Sequence, residues 1–191
     1  MDHPDAFELP AGAAAGGPQG DPLAVAVELR VAGIVPESIV DGPGIRYAVF
    51  VQGCPHGCPG CHNPQTHPFG GGQVRDTGEL FAQFQKNPLL KGITLSGGEP
   101  FCQAAPLAEL ARQVHGVEKD VVAYTGYVYE DLLAMEDPAV QALLGETDLL
   151  IDGPYVQAQR DLELCFRGSE NQRLIDVKQS RAAGHAVLWE A

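Results

Sequence analysis

Short apolar segments alternate with polar, helix-prone segments along most of the chain. The apolar segments are rich in β-branched and aromatic residues and end at Gly, Pro, Asp or Ser, as strands do. They run over residues 25–35, 46–52, 92–95, 120–124, 148–152, 173–177 and 186–190. Helical periodicity is clearest over residues 104–115, and further helices are predicted over residues 77–86, 130–135 and 138–144.

This alternation predicts an α/β fold in which mostly parallel strands are joined by crossover helices. About four βα units are too few for an eight-stranded barrel, so we expect an open partial (β/α) barrel. Residues 1–24 are rich in Gly, Ala and Pro, which predicts a disordered N-terminal tail. Residues 25–191 then form one domain.

Unusual residues follow four of the predicted strands. A cysteine-rich segment comes after residues 46–52, "SGGEP" after 92–95, "TGY" after 120–124 and "DGPY" after 148–152. In a parallel sheet the functional site lies beyond the carboxyl ends of the strands. The sequence therefore predicts that these four segments meet in one site.

Composition excludes some classes of function. The formal net charge is −13, and a surface this acidic repels phosphate groups, so no nucleic-acid partner is expected. The chain has no apolar run of the ~18 residues that a membrane span needs and no signal peptide, which predicts a cytoplasmic protein. Its five cysteines are therefore more typical of metal binding or redox chemistry than of disulfides.

Three of the cysteines, Cys54, Cys58 and Cys61, lie within eight residues in the pattern C-x3-C-x2-C. A zinc site would take His62 as the fourth ligand, but consecutive side chains rarely converge on one tetrahedral ion. A disulfide is disfavoured by the reducing compartment. A 4Fe–4S cluster with three cysteine ligands leaves one iron open for a small molecule.

The segment "LSGGEP" ends the next strand. Gly97 and Gly98 have no side chains that would block a ligand, so their backbone can approach one closely. The Glu99 carboxylate is an acceptor suited to an ammonium group. A simple strand-ending turn is the alternative interpretation.

These motifs resemble those of the radical S-adenosylmethionine superfamily, whose signatures are C-x3-C-x2-C and GGEP. Five further segments resemble one family within this superfamily: "DGPGIR", "GCPHGCPGCHNPQT", "YTGY", "DGPYV" and "FRGSENQRLIDV". Together these segments are similar to the glycyl-radical-enzyme activases that activate anaerobic ribonucleoside-triphosphate reductase. The similarity extends over about residues 28–178.

The resemblance implies a radical S-adenosylmethionine type of fold and an enzyme with two cofactors, a 4Fe–4S cluster and S-adenosyl-L-methionine. Cys54, Cys58 and Cys61 would bind the cluster. One electron from it would cleave S-adenosylmethionine, and the resulting 5′-deoxyadenosyl radical would remove a hydrogen atom from a glycine of the reductase. The partners implied are the large subunit of that reductase and a flavodoxin- or ferredoxin-type electron donor.

Cofactor-binding roles are expected for six further residues: Gly97, Gly98, Glu99, Asn63, Thr125 and Asp152. Thr125 and Asp152 would contact the ribose or carboxylate of S-adenosylmethionine, with strand-end capping as the alternative. The segment 167–173 is expected to dock the partner or cover the cofactor.

Two alternative functions stay open at this point. One is a radical S-adenosylmethionine enzyme that acts on a small molecule or on another glycyl radical enzyme. The other is a non-catalytic zinc-binding module. Cys102 and Cys165 are expected to be small buried residues, and Arg46 to form a surface salt bridge or to bind a carboxylate.

Overall fold

A computed structural model of the protein describes residues 27–190. The N-terminal tail predicted for residues 1–24 lies outside this range. Seven strands form one sheet in the order β3-β1-β2-β4-β5-β6-β7. The strands are β1 (Glu28–Ser38), β2 (Arg46–Val51), β3 (Gln73–Asp76), β4 (Gly92–Gly97), β5 (Asp120–Tyr124), β6 (Leu149–Asp152) and β7 (Arg173–Asp176).

The four central strands, β2, β4, β5 and β6, are parallel to their neighbours in that group. β1 runs antiparallel to β2 and β3, and β7 runs antiparallel to β6. The predicted mixed α/β fold with a mostly parallel central sheet is confirmed. The order has two ends, β3 and β7, so the sheet is open.

Five α-helices accompany the strands in the described part of the chain. They are α1 (Thr77–Phe84), α2 (Ala104–His115), α3 (Tyr129–Ala134), α4 (Pro138–Gly145) and α5 (Val177–Ala183). α2 contacts β1, β4 and β5, and it packs against α1 and α4. Its bounds are those that the periodicity predicts, because its apolar face is fully buried.

The two faces of the sheet are covered differently. Alternate strand residues such as Val49, Leu95 and Ala123 join the buried residues of the helices in one large core. On the other face, Val122 and Ile151 belong to a smaller apolar cluster. Successive side chains of a strand point to opposite faces, so the residues of the second face do not belong to the large core. Near the carboxyl ends of the strands, this second face can therefore carry polar groups.

The connection between β1 and β2 covers the amino half of the second face. The Thr94 hydroxyl donates a hydrogen bond of 2.8 Å to the carbonyl of Asp41. Gly42 has a φ of +132°, and a Cβ there would lie 3.4 Å from a Val122 methyl group. The loop therefore lies directly on β4 and β5.

Arg46 is completely buried at the start of β2, so the predicted surface position is wrong, but it does bind a carboxylate, that of Asp120. Its guanidinium pairs with Asp120 and donates to the Thr94 hydroxyl at 3.1 Å and the Ile93 carbonyl at 2.6 Å. In the sheet, Gly92 stands between Arg46 and Asp120. Because Gly92 has no side chain, Arg46 can reach across β4 to the carboxylate.

The last two predicted strands differ in outcome. Residues 173–176 form β7, but the segment 186–190 makes a single bridge between Leu188 and Ile175 and no strand. The sequence-based prediction also missed β3 and α5. No helix within residues 27–190 has the length and apolar character that crossing a bilayer requires.

His115, at the end of α2, lies between two carboxylates. Its Nδ1 is 2.9 Å from Glu146 Oε2, and its Nε2 is 2.9 Å from Asp148 Oδ2. Burial alone would lower the pKa of His115, but hydrogen bonds and charges from Asp148 and Glu146 outweigh it and raise the pKa. The protonated imidazole therefore stabilises the folded chain.

Because the pKa is raised on folding, this stabilisation is complete below the unfolded value of about 6.5 and is lost as the pH rises through the folded value. We expect urea unfolding midpoints of the parent to fall as the pH rises above about 6.5. His115→Gln should flatten this decline, whereas His185→Gln, at an exposed position, should keep it. An equal decline in the parent and in His115→Gln would contradict the assignment.

Candidate active site

A cavity of about 720 Å³ opens beyond the carboxyl ends of the parallel strands. Phe50 of β2, Ser96 of β4 and Tyr124 of β5 contribute to it from the second face of the sheet. Cavities that bind small molecules have volumes of roughly 300–1,000 Å³. The four segments that follow the predicted strands all contribute residues to this cavity, as the sequence indicates.

The cysteine loop forms one wall of the cavity. Cys54, Cys58 and Cys61 are partly buried and line it. The loop is anchored at its start, where the Gly53 amide donates to the Thr66 carbonyl at 2.7 Å and the Cys54 amide to the His67 carbonyl at 3.0 Å. Burial raises the pKa of the Cys54 and Cys61 thiols.

Three thiols on one wall suit an iron–sulfur cluster, since thiolates are the usual ligands of such clusters and each can bind a different iron. Within residues 27–190, no group of three or more His, Cys, Asp or Glu side chains is arranged to hold a single metal ion. His62, the fourth ligand of the zinc interpretation, is exposed and packs against the Tyr155 ring at a centroid distance of 4.8 Å. The donor set and the cavity therefore fit a cluster.

Asn63 lies at the end of the cysteine loop and also lines the cavity. Its amide lies 3.4 Å from the Cys61 sulfur, and its carbonyl accepts from the Thr66 hydroxyl at 2.7 Å. The backbone of Asn63 thus stabilises the end of the cysteine loop. Because Asn63 lines the cavity, cofactor binding by Asn63 stays a prediction.

Gly97 and Gly98 line the cavity, and their lack of side chains has a second consequence. Gly97 has a φ of +93°, and a Cβ there would lie 2.7 Å from the Cα of Phe50. A Cβ on Gly98 would lie 2.4 Å from the Gly53 carbonyl oxygen. The glycines therefore allow the β4 turn to pack directly on the end of β2 and the start of the cysteine loop.

Glu99 is fully buried, and its carboxylate accepts hydrogen bonds from three segments. Within the β4 turn, the Phe101 amide donates to Oε1 at 3.0 Å. From the β5 turn, the Thr125 hydroxyl donates at 3.0 Å and the Gly126 amide at 2.9 Å. From the cysteine loop, His56 Nε2 lies 2.7 Å from Oε2. Glu99 thus joins the three loops and is not among the residues that line the cavity.

Thr125 lines the cavity, while Asp152 does not. Asp152 is buried at the end of β6, where Oδ1 accepts from Arg173 Nε at 3.0 Å and Oδ2 accepts from the Tyr129 amide at 2.8 Å. This pairing corresponds to the capping alternative, because Tyr129 begins α3. A cofactor contact of Asp152 stays a prediction, because Asp152 is not among the residues that line the cavity.

Residues 160–168 also line the cavity, and of these only Arg167 and Gly168 belong to the segment that the sequence predicts to dock the partner or cover the cofactor. Gln172 holds this segment in place: its side-chain oxygen accepts from the Gly168 amide at 2.8 Å, and its side-chain nitrogen donates to the Gly153 carbonyl at 3.0 Å. Arg167 also donates to the Gln172 carbonyl at 3.1 Å. The motif "FRGSENQR" is the sequence signal that marks this segment.

The two remaining cysteines are exposed, which corrects the expectation that they are buried. Cys165 lies in the segment 160–168 and lines the cavity, whereas Cys102 lies next to the β4 turn. The expectation was wrong because Cys102 lies in a short 3-10 helix and Cys165 in a loop, and both segments leave the thiol exposed.

Comparisons with known proteins agree with this geometry. Residues 40–175 match the family model described as a 4Fe-4S single cluster domain. An anaerobic ribonucleoside-triphosphate reductase-activating protein of Vibrio cholerae is 37% identical over 146 residues, which cover 72% of this chain and 91% of the relative. The chain belongs to the family of these activating proteins. A member from Enterobacteria phage T4 is 36% identical over 148 residues, covering 74% of this chain and 90% of its own.

The part that matches the 4Fe-4S model contains all nine residues for which the sequence predicts a cofactor or metal role. The solved structure of QueE from Escherichia coli overlaps 52% of this chain and 53% of its own, with a TM-score of 0.42 and 16% sequence identity.

Proposed function

We propose that this chain is a radical S-adenosylmethionine enzyme that generates a glycyl radical on anaerobic ribonucleoside-triphosphate reductase. The observation that carries the proposal is that three cysteines and two glycine-rich turns line one cavity, in a chain of the activating-protein family. The partner implied is the large subunit of the reductase. A flavodoxin- or ferredoxin-type donor would supply electrons in the cytoplasm.

Cys54, Cys58 and Cys61 would hold a 4Fe–4S cluster through their thiolates. When bound and reduced, the cluster supplies one electron that cleaves S-adenosylmethionine to methionine and a 5′-deoxyadenosyl radical. The role of the protein is to orient the cofactors and to exclude water. All three thiols are partly buried, which is consistent with a cluster that is shielded from water.

S-adenosylmethionine would lie against Gly97, Gly98 and Thr125, with Asn63 beside the cluster. All four residues line the cavity. Glu99 and Asp152 would act from behind this wall, because protein donors already engage both carboxylates. We therefore assign them positioning roles, with Glu99 acting on the wall and not directly on the ammonium group.

The open sheet and the cavity at its end fit the proposed activity. We propose that residues 25–191 form one domain whose open sheet curves as a partial (β/α) barrel of the radical S-adenosylmethionine type. The segment 160–168 and the three cysteines line the same cavity. A glycine of the partner would have to enter this cavity, and the segment 167–173 would help cover the cofactor.

Anaerobic reconstitution with iron and sulfide, followed by reduction in the presence of S-adenosylmethionine, tests the proposal. We expect 5′-deoxyadenosine, and in a mixture with the reductase a glycine-centred radical detected by electron paramagnetic resonance. Without 5′-deoxyadenosine the radical chemistry would be refuted. If 5′-deoxyadenosine formed but no glycyl radical appeared, a small-molecule substrate or another glycyl radical enzyme would be favoured. One zinc per chain without iron would favour the binding module.

A further inference from the structure

His56 lies between the first two cysteines of the loop, and 16% of its side-chain surface is exposed. Its ring is packed edge-on against the Tyr127 ring, with a centroid distance of 4.5 Å. A Cβ on Gly126 would lie only 2.4 Å from His56 Cδ2. The ring therefore rests directly on the backbone of the β5 turn, at a place where even a methyl group would displace it.

The other end of the ring meets Glu99. His56 Nε2 lies 2.7 Å from Oε2, and since a carboxylate only accepts hydrogen bonds, the Nε2–H donates. The Glu99 side chain has no exposure to solvent. A buried carboxylate is stable only when donors satisfy its oxygens, so each donor segment is held to Glu99 by a strong, charge-assisted bond.

The donors to Glu99 come from different parts of the site wall. Phe101 belongs to the segment after β4, and Thr125 and Gly126 belong to the β5 turn. His56 belongs to the loop that carries the three cysteines. The bond from His56 thus links the cysteine loop to the wall on which Gly97, Gly98 and Thr125 lie.

We infer that His56 is a positioning residue that sets the cysteine loop at a fixed distance from the wall that binds S-adenosylmethionine. This inference rests on the proposed function and adds a residue outside the cluster ligands. His56 also lines the cavity, and the role that we assign to it is the one it has through its bond to Glu99. Its loss should weaken S-adenosylmethionine binding and leave the three thiols able to bind iron.

Three variants separate the parts of this inference. His56→Phe keeps a ring of similar size against Tyr127 but cannot donate to Glu99. His56→Gln keeps an N–H donor without the ring. Gly126→Ala leaves His56 and Glu99 unchanged but pushes the ring away, and Gly126 has no left-handed backbone conformation that would exclude alanine.

In anaerobically reconstituted protein we expect the same iron content in all three variants. S-adenosylmethionine should bind about tenfold more weakly to His56→Phe and Gly126→Ala, as expected for the loss of a bond to a charged group. His56→Gln should bind it within about twofold of the parent, since the donor is kept. The change that S-adenosylmethionine causes in the electron paramagnetic resonance spectrum of the reduced cluster should be lost or altered in the same two variants.

Parent-like affinity and spectra in His56→Phe and Gly126→Ala would overturn the inference, and so would affinity in His56→Gln as weak as in His56→Phe. Loss of iron from His56→Phe would also overturn it, because His56 would then act on the cluster. Amide exchange in the cluster-free chain gives a separate test: exchange over residues 54–61 should be faster in His56→Phe than in the parent, and equal rates would count against the inference. If the parent forms no 5′-deoxyadenosine, the proposed function fails, and this exchange measurement still decides whether His56 holds the loop.

Discussion

Replacing Cys58 with alanine is expected to leave the reconstituted protein without its cluster and to abolish 5′-deoxyadenosine formation. Cys58 stands between Cys54 and Cys61 on one cavity wall. With three thiolate ligands, as we propose, one iron would stay open for S-adenosylmethionine, so a second missing ligand would expose the cluster to loss. We expect iron per chain, measured after anaerobic gel filtration, to fall to less than about one tenth of the parent value.

The chain offers matched controls for this experiment. Cys102 and Cys165 are exposed thiols outside the motif, and Cys165 even lines the same cavity. Alanine at either position should leave the iron content unchanged. The unfolding midpoint of the cluster-free Cys58→Ala chain should stay close to that of the parent, since the residue lies in a loop and only partly buried. Full iron retention in Cys58→Ala, or its loss in Cys165→Ala, would refute the ligand assignment.

The central strands and the place of the site could be predicted from the sequence. The strands over residues 46–51, 92–97, 120–124 and 149–152 are short apolar runs because both of their faces are buried. Parallel strands bring their carboxyl ends to one edge, so the segments that follow them had to meet. This reasoning needs no knowledge of which residues pair across the sheet.

Polar edge elements could not be predicted in the same way. β3 has the sequence QVRD and no buried residue, and it is a strand because Gln73 and Asp76 pair with Val31 and Glu28 of β1. The apolar segment 186–190 has strand-like composition, yet its pairing with β7 is limited to one bridge, at Leu188. Edge pairing depends on tertiary position, which periodicity along the chain does not contain.

The roles of the acidic residues at the site were also beyond the sequence. Glu99 follows β4 and Asp152 is the last residue of β6, so a cofactor contact is the natural hypothesis for both carboxylates. In the structure both are buried, and protein donors engage them: His56 and Thr125 for Glu99, Arg173 for Asp152. Whether a carboxylate faces a ligand or a neighbouring loop depends on side-chain direction at the turn.

The largest effect on stability is expected at the amino ends of the parallel strands, in the pair of Arg46 and Asp120. Arg46 is completely buried, whereas the Asp120 side chain is 33% exposed. Burial lowers the pKa of the Arg46 guanidinium below its usual value, although Asp120 raises it. The pKa is lowered because the loss of hydration of the guanidinium outweighs its attraction to Asp120. The buried charge of Arg46 therefore depends on the Asp120 carboxylate for stabilisation.

Removing each partner should therefore have unequal effects. Asp120→Ala leaves a buried cation without a counter-charge and should lower the free energy of unfolding by about 3 kcal/mol or more. Arg46→Met leaves a carboxylate that water can reach and should cost about 1–2 kcal/mol. The double variant should be more stable than Asp120→Ala, because it no longer buries an unpaired charge.

Urea unfolding at pH 7 measures these differences, and an unchanged dependence on urea concentration would show that the unfolded state is the same. Glu136→Gln, at an exposed position of the same charge type, is the control and should stay within about 0.5 kcal/mol of the parent. If Arg46→Met were more destabilising than Asp120→Ala, the buried guanidinium would not need its carboxylate, and the role of Gly92 in opening the path between them would lose its basis. A double variant less stable than Asp120→Ala would have the same meaning.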